Sequence, residues 1–165
     1  MLDRRLVIAG FAAVLVCGGP ASAQTAPDAQ APIVIVDGKT ATGAPMSFTR
    51  ADLEAMGATR VVTHTPWHDG APAFEGVLAR TLMEKVGAKG DHVAIAALDN
   101  YTVSVPVADF EDHGVVFAYA LNGKPMSVED KGPLFLIYPF DAEPALANET
   151  YYSRSIWQIA RITIE

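Results

Sequence analysis

Trp67 stands between His64 and His68, with Asp69 next in the chain, in a stretch bounded by Pro66 and Gly70. An indole held in such a loop offers a face to a flat ring, and Asp69 offers an acceptor to the N–H edge of that ring. A second set lies near the C-terminus. Tyr151, Tyr152, Ser153, Arg154 and Trp157 crowd one short segment, and Tyr138 ends an apolar run before it. Tyr152 and the Arg154 guanidinium supply further planes for stacking. Arg154 could instead grip a phosphate or carboxylate through its fork, and Ser153 adds one hydrogen bond. Trp67, His68, Asp69, Tyr152, Ser153 and Arg154 are therefore the candidate binding site for a flat heterocycle.

Other chemistries have less to work with. His64 and His68 are four apart, the spacing that aligns two metal ligands on a helix. Thr65-Pro66-Trp67 between them is a poor helix, so the pair reads as a polar loop. Asp109, Glu111, Asp112 and His113 read as the solvated face of a short helix, although paired carboxylates can do acid–base work. There is no phosphate-cradling glycine loop and no Gly-x-Ser-x-Gly elbow. The sequence assigns no catalytic residue and no metal ligand.

Composition narrows the classes further. Half of the 165 residues are apolar and 19% are charged, which excludes a chain disordered throughout and a multi-span membrane protein. A formal net charge of -7 repels phosphate backbones, so nucleic acid is not an expected partner. Arg4 and Arg5, the apolar run Leu6 to Val16 and the small residues Ala21-Ser22-Ala23 follow the order of a secretory signal. The run is well short of the ~20 residues of a spanning helix, so no permanent membrane span is expected. Cleavage after Ala23 would release the protein into the periplasm or medium and remove Cys17, the one cysteine in the sequence. Residues 24–32, rich in Ala, Pro and Gln, read as a flexible leader, and 33–165 as one domain.

The elements that must position the site follow from local patterns. Strands are predicted over 33–36, 59–65, 93–98, 101–105, 115–121, 133–138 and 156–164. Thr49, with Asp52 three residues on, predicts a helix N-terminus that Gly57 ends. Val77, Leu78, Leu82 and Val86 fall near helical spacing and predict a helix over 77–86, with Gly87 at its end. A short acidic helix is predicted over 107–113. Asp99-Asn100 and Asn122-Gly123 are turn pairs, the latter the stronger hairpin signal. The result is a compact α+β domain, mainly antiparallel β with short helices.

Several motifs resemble a known family when taken in order. They are Phe48-Thr-Arg-Ala-Asp-Leu, Phe74-Glu-Gly-Val-Leu, the long stretch from Phe117 through Asn122-Gly-Lys-Pro-Met and Gly132-Pro-Leu to Tyr138-Pro, and the closing Ser153-Arg-Ser-Ile-Trp with Arg161-Ile162. This order resembles the molybdopterin-binding domain of sulfite oxidases and related bacterial oxidoreductases, over about residues 33 to 165. The resemblance implies a sulfite oxidase-type fold and a pterin or molybdopterin-like ligand. In catalytic members a cysteine thiolate from the loop after the first helix and its following strand binds molybdenum. Here that loop reads Val61-Val-Thr-His-Thr-Pro-Trp-His, and no side chain in it replaces a soft thiolate. Ile156 also precedes Trp157 where the enzymes usually offer a basic residue. The chain thus resembles most a small cysteine-free periplasmic branch that binds pterins. That likeness implies a partner such as a membrane-bound cyclic-di-nucleotide enzyme or sensor kinase, and no bound molybdenum. The alternatives are a molybdenum-dependent oxidoreductase or its small subunit, and an interaction domain whose pocket has closed.

Overall fold

The computed structural model describes residues 31–165. The expected signal segment, its cleavage point and the leader as far as residue 30 lie outside the described residues. Pro32, assigned from sequence to the end of the leader, opens the first strand. The described elements run β1 (Pro32–Gly38), β2 (Met46–Thr49), α1 (Arg50–Ala55), β3 (Thr59–Val62), β4 (Ala73–Leu78) and α2 (Ala79–Val86). They continue with β5 (His92–Ala97), β6 (Thr102–Pro106), α3 (Val107–Asp112), β7 (Val116–Leu121), β8 (Lys124–Pro125), β9 (Phe135–Ile137), α4 (Glu149–Arg154) and β10 (Ile159–Ile164).

Two sheets result. The first has the order β2-β1-β10-β5-β6; the second has β3-β4-β7-β8, with β9 also paired to β7. Every pairing is antiparallel except β1 with β10. The mainly antiparallel α+β domain expected from the sequence is the one found.

β7 explains how the second sheet is buried on both faces. Its run Val116 to Ala120 is wholly buried. Phe117 and Tyr119 enter the large core with Val36, Leu82, Ile95 and Ile162. Val116 and Ala118, which alternate with them, enter a smaller cluster with Phe74, Phe135 and Ile137. A strand buried on both faces has no polar alternation, and its sequence has none.

Local chemistry fixes several ends. Asp52 N donates to Thr49 Oγ1 (3.1 Å), and Asp52 Oδ2 accepts from Thr49 N (2.8 Å). This reciprocal cap starts α1, and it holds the Asp52 carboxyl below its usual pKa. Asn122 and Gly123 both adopt positive φ and turn β7 into β8, as their types require.

Four sequence expectations need correction. Val77 and Leu78 end β4, and the helix expected from 77 begins at Ala79. The strand before it was hidden because a register shift between Glu75 and Gly76 breaks its alternation. Gly76 is required there, since a Cβ would sit 2.1 Å from the Phe117 carbonyl oxygen. The strands expected over 59–65, 133–138 and 156–164 are shorter, ending at Val62, spanning Phe135–Ile137 and starting at Ile159. Tyr151, Tyr152 and Arg154, in a segment where no helix is predicted, lie on helix α4. Asp109, expected on a solvated face, is only 7% exposed.

Candidate functional site

The loop after β3 leaves the second sheet, and the β5–β6 hairpin projects from the first. A groove of about 520 Å³ opens between them. Pro66 and Trp67 form one wall, Ala97, Asp99 and Tyr101 another. Glu149, Tyr152 and Ser153 of α4 and the segment Ser155 to Gln158 complete it.

Its aromatic residues are held by their packing. Trp67 lies 5.6 Å from the ring of Phe135, 6.0 Å from Tyr152 and 5.7 Å from Trp157. Trp157 rests on Phe135 at 5.8 Å and is 37% exposed. Lys131 Nζ sits 5.3 Å from the Trp157 ring. Gln158 turns the chain back with a positive φ of 52°. Its Nε2 donates to the Val128 carbonyl at 2.8 Å, and its own carbonyl accepts from Leu98 N at 2.9 Å. These bonds tie the segment carrying Trp157 to the β8–β9 connection and to the β5–β6 hairpin. Tyr101 is 58% exposed at the tip of that hairpin, where the Asp99-Asn100 turn places it.

The six candidates from sequence divide. Trp67, Tyr152 and Ser153 line the groove. His68 lies against Phe74 and Phe135, with Thr65 Oγ1 2.9 Å from its Nδ1, and does not line it. Asp69 is exposed outside the lining. Arg154 Nη1 donates to Asp109 Oδ2 at 2.8 Å, and the guanidinium lies 5.3 Å from the Tyr151 ring. One arm of its fork is engaged within the protein, and the residue lines a second recess beside the groove. Sequence reasoning did not assign Asp99, Tyr101, Glu149 or Gln158 to the site. Only Tyr101 left a usable signal, an aromatic immediately after a tight turn.

His64 and His68 point to different partners. His64 Nδ1 is 2.8 Å from Asp141 Oδ2, which helps hold the Asp141 carboxyl below its usual pKa. Among the described residues no three His, Cys, Asp or Glu side chains group to hold a metal.

Burial, and secondarily the charge of Lys131, push the His68 imidazole below the ordinary histidine range. The folded protein therefore favours neutral His68. Its contribution to stability is complete above the unfolded value of about 6.5 and is lost as pH falls from there through the folded pKa. An NMR titration is expected to place the His68 midpoint below 6.5; a midpoint at or above it would contradict this burial account.

The groove suits one half of a molybdopterin and not the other. Its aromatic walls suit a flat bicyclic ring. The described residues contain no cysteine, and the loop where a thiolate would stand offers Thr63, His64 and Thr65 instead. Thr63 Oγ1 already accepts from Asp141 N at 3.0 Å, and His64 and Thr65 make the bonds described above. Such donors do not supply the soft ligand that molybdenum takes in the enzymes.

Comparison with known proteins agrees with this architecture. Residues 34–141 match the model of the oxidoreductase molybdopterin binding domain. The uncharacterized oxidoreductase YuiH of Bacillus subtilis (strain 168) is 32% identical over 77 residues, covering 46% of this chain and 39% of that protein. The sulfane dehydrogenase SoxCD from Paracoccus pantotrophus shares the fold with a TM-score of 0.59 at 18% identity, covering 79% of this chain and 37% of that one. The chain thus spans well under half the length of either. Among the described residues no helix is long and apolar enough to cross a membrane. With the matched model spanning most of the chain from β1 past β9, and the two-sheet fold shared with SoxCD, the chain belongs to the oxidoreductase molybdopterin binding domain family.

Proposed function

We propose that this chain is a pterin-binding module that holds its ligand without molybdenum and does no redox chemistry of its own. The observation that carries this reading is the groove whose walls are Trp67, Tyr101, Tyr152 and Trp157, in a family named for molybdopterin binding. The ring slides between indole and phenol faces, and its N–H edge meets an acidic rim at Asp99 and Glu149. These two replace Asp69 as the acceptors that such an edge needs.

Trp157→Ala is the direct test, because this side chain is partly exposed and its loss leaves the core intact. Removing one stacking face from a flat heterocycle costs roughly 1–3 kcal/mol, about tenfold or more in affinity. Pterin binding to the full chain, followed by calorimetry, is expected to weaken by about that factor while Tm shifts by a few degrees at most. Equal binding by parent and variant, or no pterin binding by a parent with a normal melting transition, would overturn the proposal. Metal analysis of the purified protein is expected to find molybdenum well below one per chain.

In this reading residues 1–23 direct export and the module works in the periplasm. It reports ligand occupancy to a membrane-bound cyclic-di-nucleotide enzyme or sensor kinase, as the cysteine-free branch it resembles suggests. Intact-mass measurement of periplasmic protein is expected to give a chain starting at Gln24; retention of Met1 would count against export by this route.

A further inference from the structure

The groove continues past its aromatic walls. A second open recess of about 480 Å³ adjoins it, and Tyr101, Glu149 and Ser153 line both. Beyond this common wall stand Val103 and Ser104 of β6 and Thr150 and Arg154 of α4. The two halves differ in chemistry. The first is walled by rings; the second is rich in hydroxyls, from Ser104, Thr150 and Ser153. Ser153 Oγ donates to the Thr150 carbonyl at 2.8 Å, so its lone pairs remain free to accept.

Charge decides what kind of group this recess can hold. Among the described residues Arg154 is the single cation lining either half. Buried Asp109 sits 2.8 Å from its guanidinium and balances it. Among the described residues no cation lies within ion-pair distance of the carboxylates of Glu149, on the common wall, and Asp99, in the groove. An incoming phosphate would meet two uncompensated negative charges and one cation whose charge Asp109 already balances. A neutral chain of hydroxyls would meet donors and acceptors without that repulsion.

We propose that groove and recess form one two-part site, in which the recess takes a neutral, polyhydroxylated side chain of the ligand and rejects a phosphorylated one. Ser104, Thr150 and Ser153 read the hydroxyls, and Glu149 enforces neutrality. This inference rests on the pterin reading of the groove.

Three probes that share one ring separate the possibilities. They are a pterin bearing only a methyl group, neopterin with its trihydroxypropyl chain, and the phosphate monoester of neopterin. Binding to the full chain is measured for each by calorimetry at low and high salt. Neopterin is expected to bind at least about fivefold more tightly than the methyl compound. The ester is expected to bind at least about fivefold more weakly than neopterin at low salt, with the gap closing as salt screens the carboxylates. Glu149→Gln is expected to narrow the gap between ester and neopterin. Ser104→Ala is expected to reduce the lead of neopterin over the methyl compound. Should the methyl compound bind as well as neopterin, or the ester as well as either, the two-part site is wrong while the pterin groove stands. Should none of the three bind a protein of normal melting behaviour, the pterin reading itself fails and takes this inference with it.

Discussion

Replacing Asp109 by alanine is expected to cost about 3–5 kcal/mol of stability, the range for removing one partner of a buried charge pair. Asp109 on α3 accepts from Tyr138 Oη at 2.7 Å and from Arg154 Nη1 at 2.8 Å. Tyr138 is fully buried at the end of β9. Burial and the Asp109 bond push its phenol pKa up, so it stays a neutral donor. Alanine would leave that hydroxyl without an acceptor and the guanidinium without its counter-charge. For a domain of this size the loss corresponds to a fall in Tm of roughly 10 °C or more. Asp109→Asn keeps an acceptor for Tyr138 but removes the charge facing Arg154, so it should fall between parent and alanine. The consequence reaches the groove. Helix α4 has no buried residue of its own, and its Arg154 is tied to the domain through Asp109. Loosening α4 moves Tyr152 and Ser153, so pterin affinity is expected to drop with stability. Urea unfolding within about 0.5 kcal/mol of the parent, the ordinary range for surface changes, would show that the network contributes little.

That network marks the boundary between what the sequence displays and what only the fold discloses. Thr49 with Asp52, Asn122 with Gly123, and the turn at Asp99-Asn100 are legible because their chemistry is local. Each satisfies or redirects backbone within a few residues. Trp67 is legible as a site residue for a similar reason, because a large ring inside a polar, proline-bounded loop has little local apolar company. The α+β class followed from the order of strand-like and helical runs, but the sulfite oxidase-type fold came only from the family order of motifs, since strand pairing over long separations leaves no local trace. Helix α4 was invisible because none of its residues is fully buried and its two half-buried rings, Tyr151 and Tyr152, are adjacent, so no apolar period exists. The tie between Arg154 and Asp109 spans 45 residues and brings together two helices, one of which had no sequence signal. The charge of a guanidinium that looks unpaired in the sequence is therefore balanced inside the fold. His68 went the other way: beside Trp67 in sequence, it packs on Phe74 and Phe135, because the chain turns at Pro66-Trp67 and a bridge between Thr65 and His68 closes the turn.

Phe135→Ala is the second large effect, and it separates packing from binding. Phe135 on β9 is fully buried and supports four rings, at 5.6 Å from Trp67, 5.8 Å from Trp157, 5.9 Å from Phe74 and 6.1 Å from His68. Truncation removes the transfer energy of the ring and leaves a cavity, about 3–5 kcal/mol together. Phe117 provides the comparison. It too is fully buried, packs on Phe110 at 5.8 Å and lines no part of the groove. Phe117→Ala should cost a similar amount. The two variants should part company in binding. Trp67 and Trp157 share Phe135 as their common support, so its loss lets both indoles settle into the cavity and misaligns the walls of the groove. With both variants held well below their melting temperatures, Phe135→Ala is expected to bind pterin at least about tenfold more weakly than the parent, and Phe117→Ala to stay within about twofold of it. Should alanine at 135 prevent folding, Phe135→Leu fills part of the cavity and is expected to show the same split at smaller size. Equal affinities for the 135 and 117 variants would reduce Phe135 to ordinary core and remove the link between the smaller apolar cluster and the ligand site.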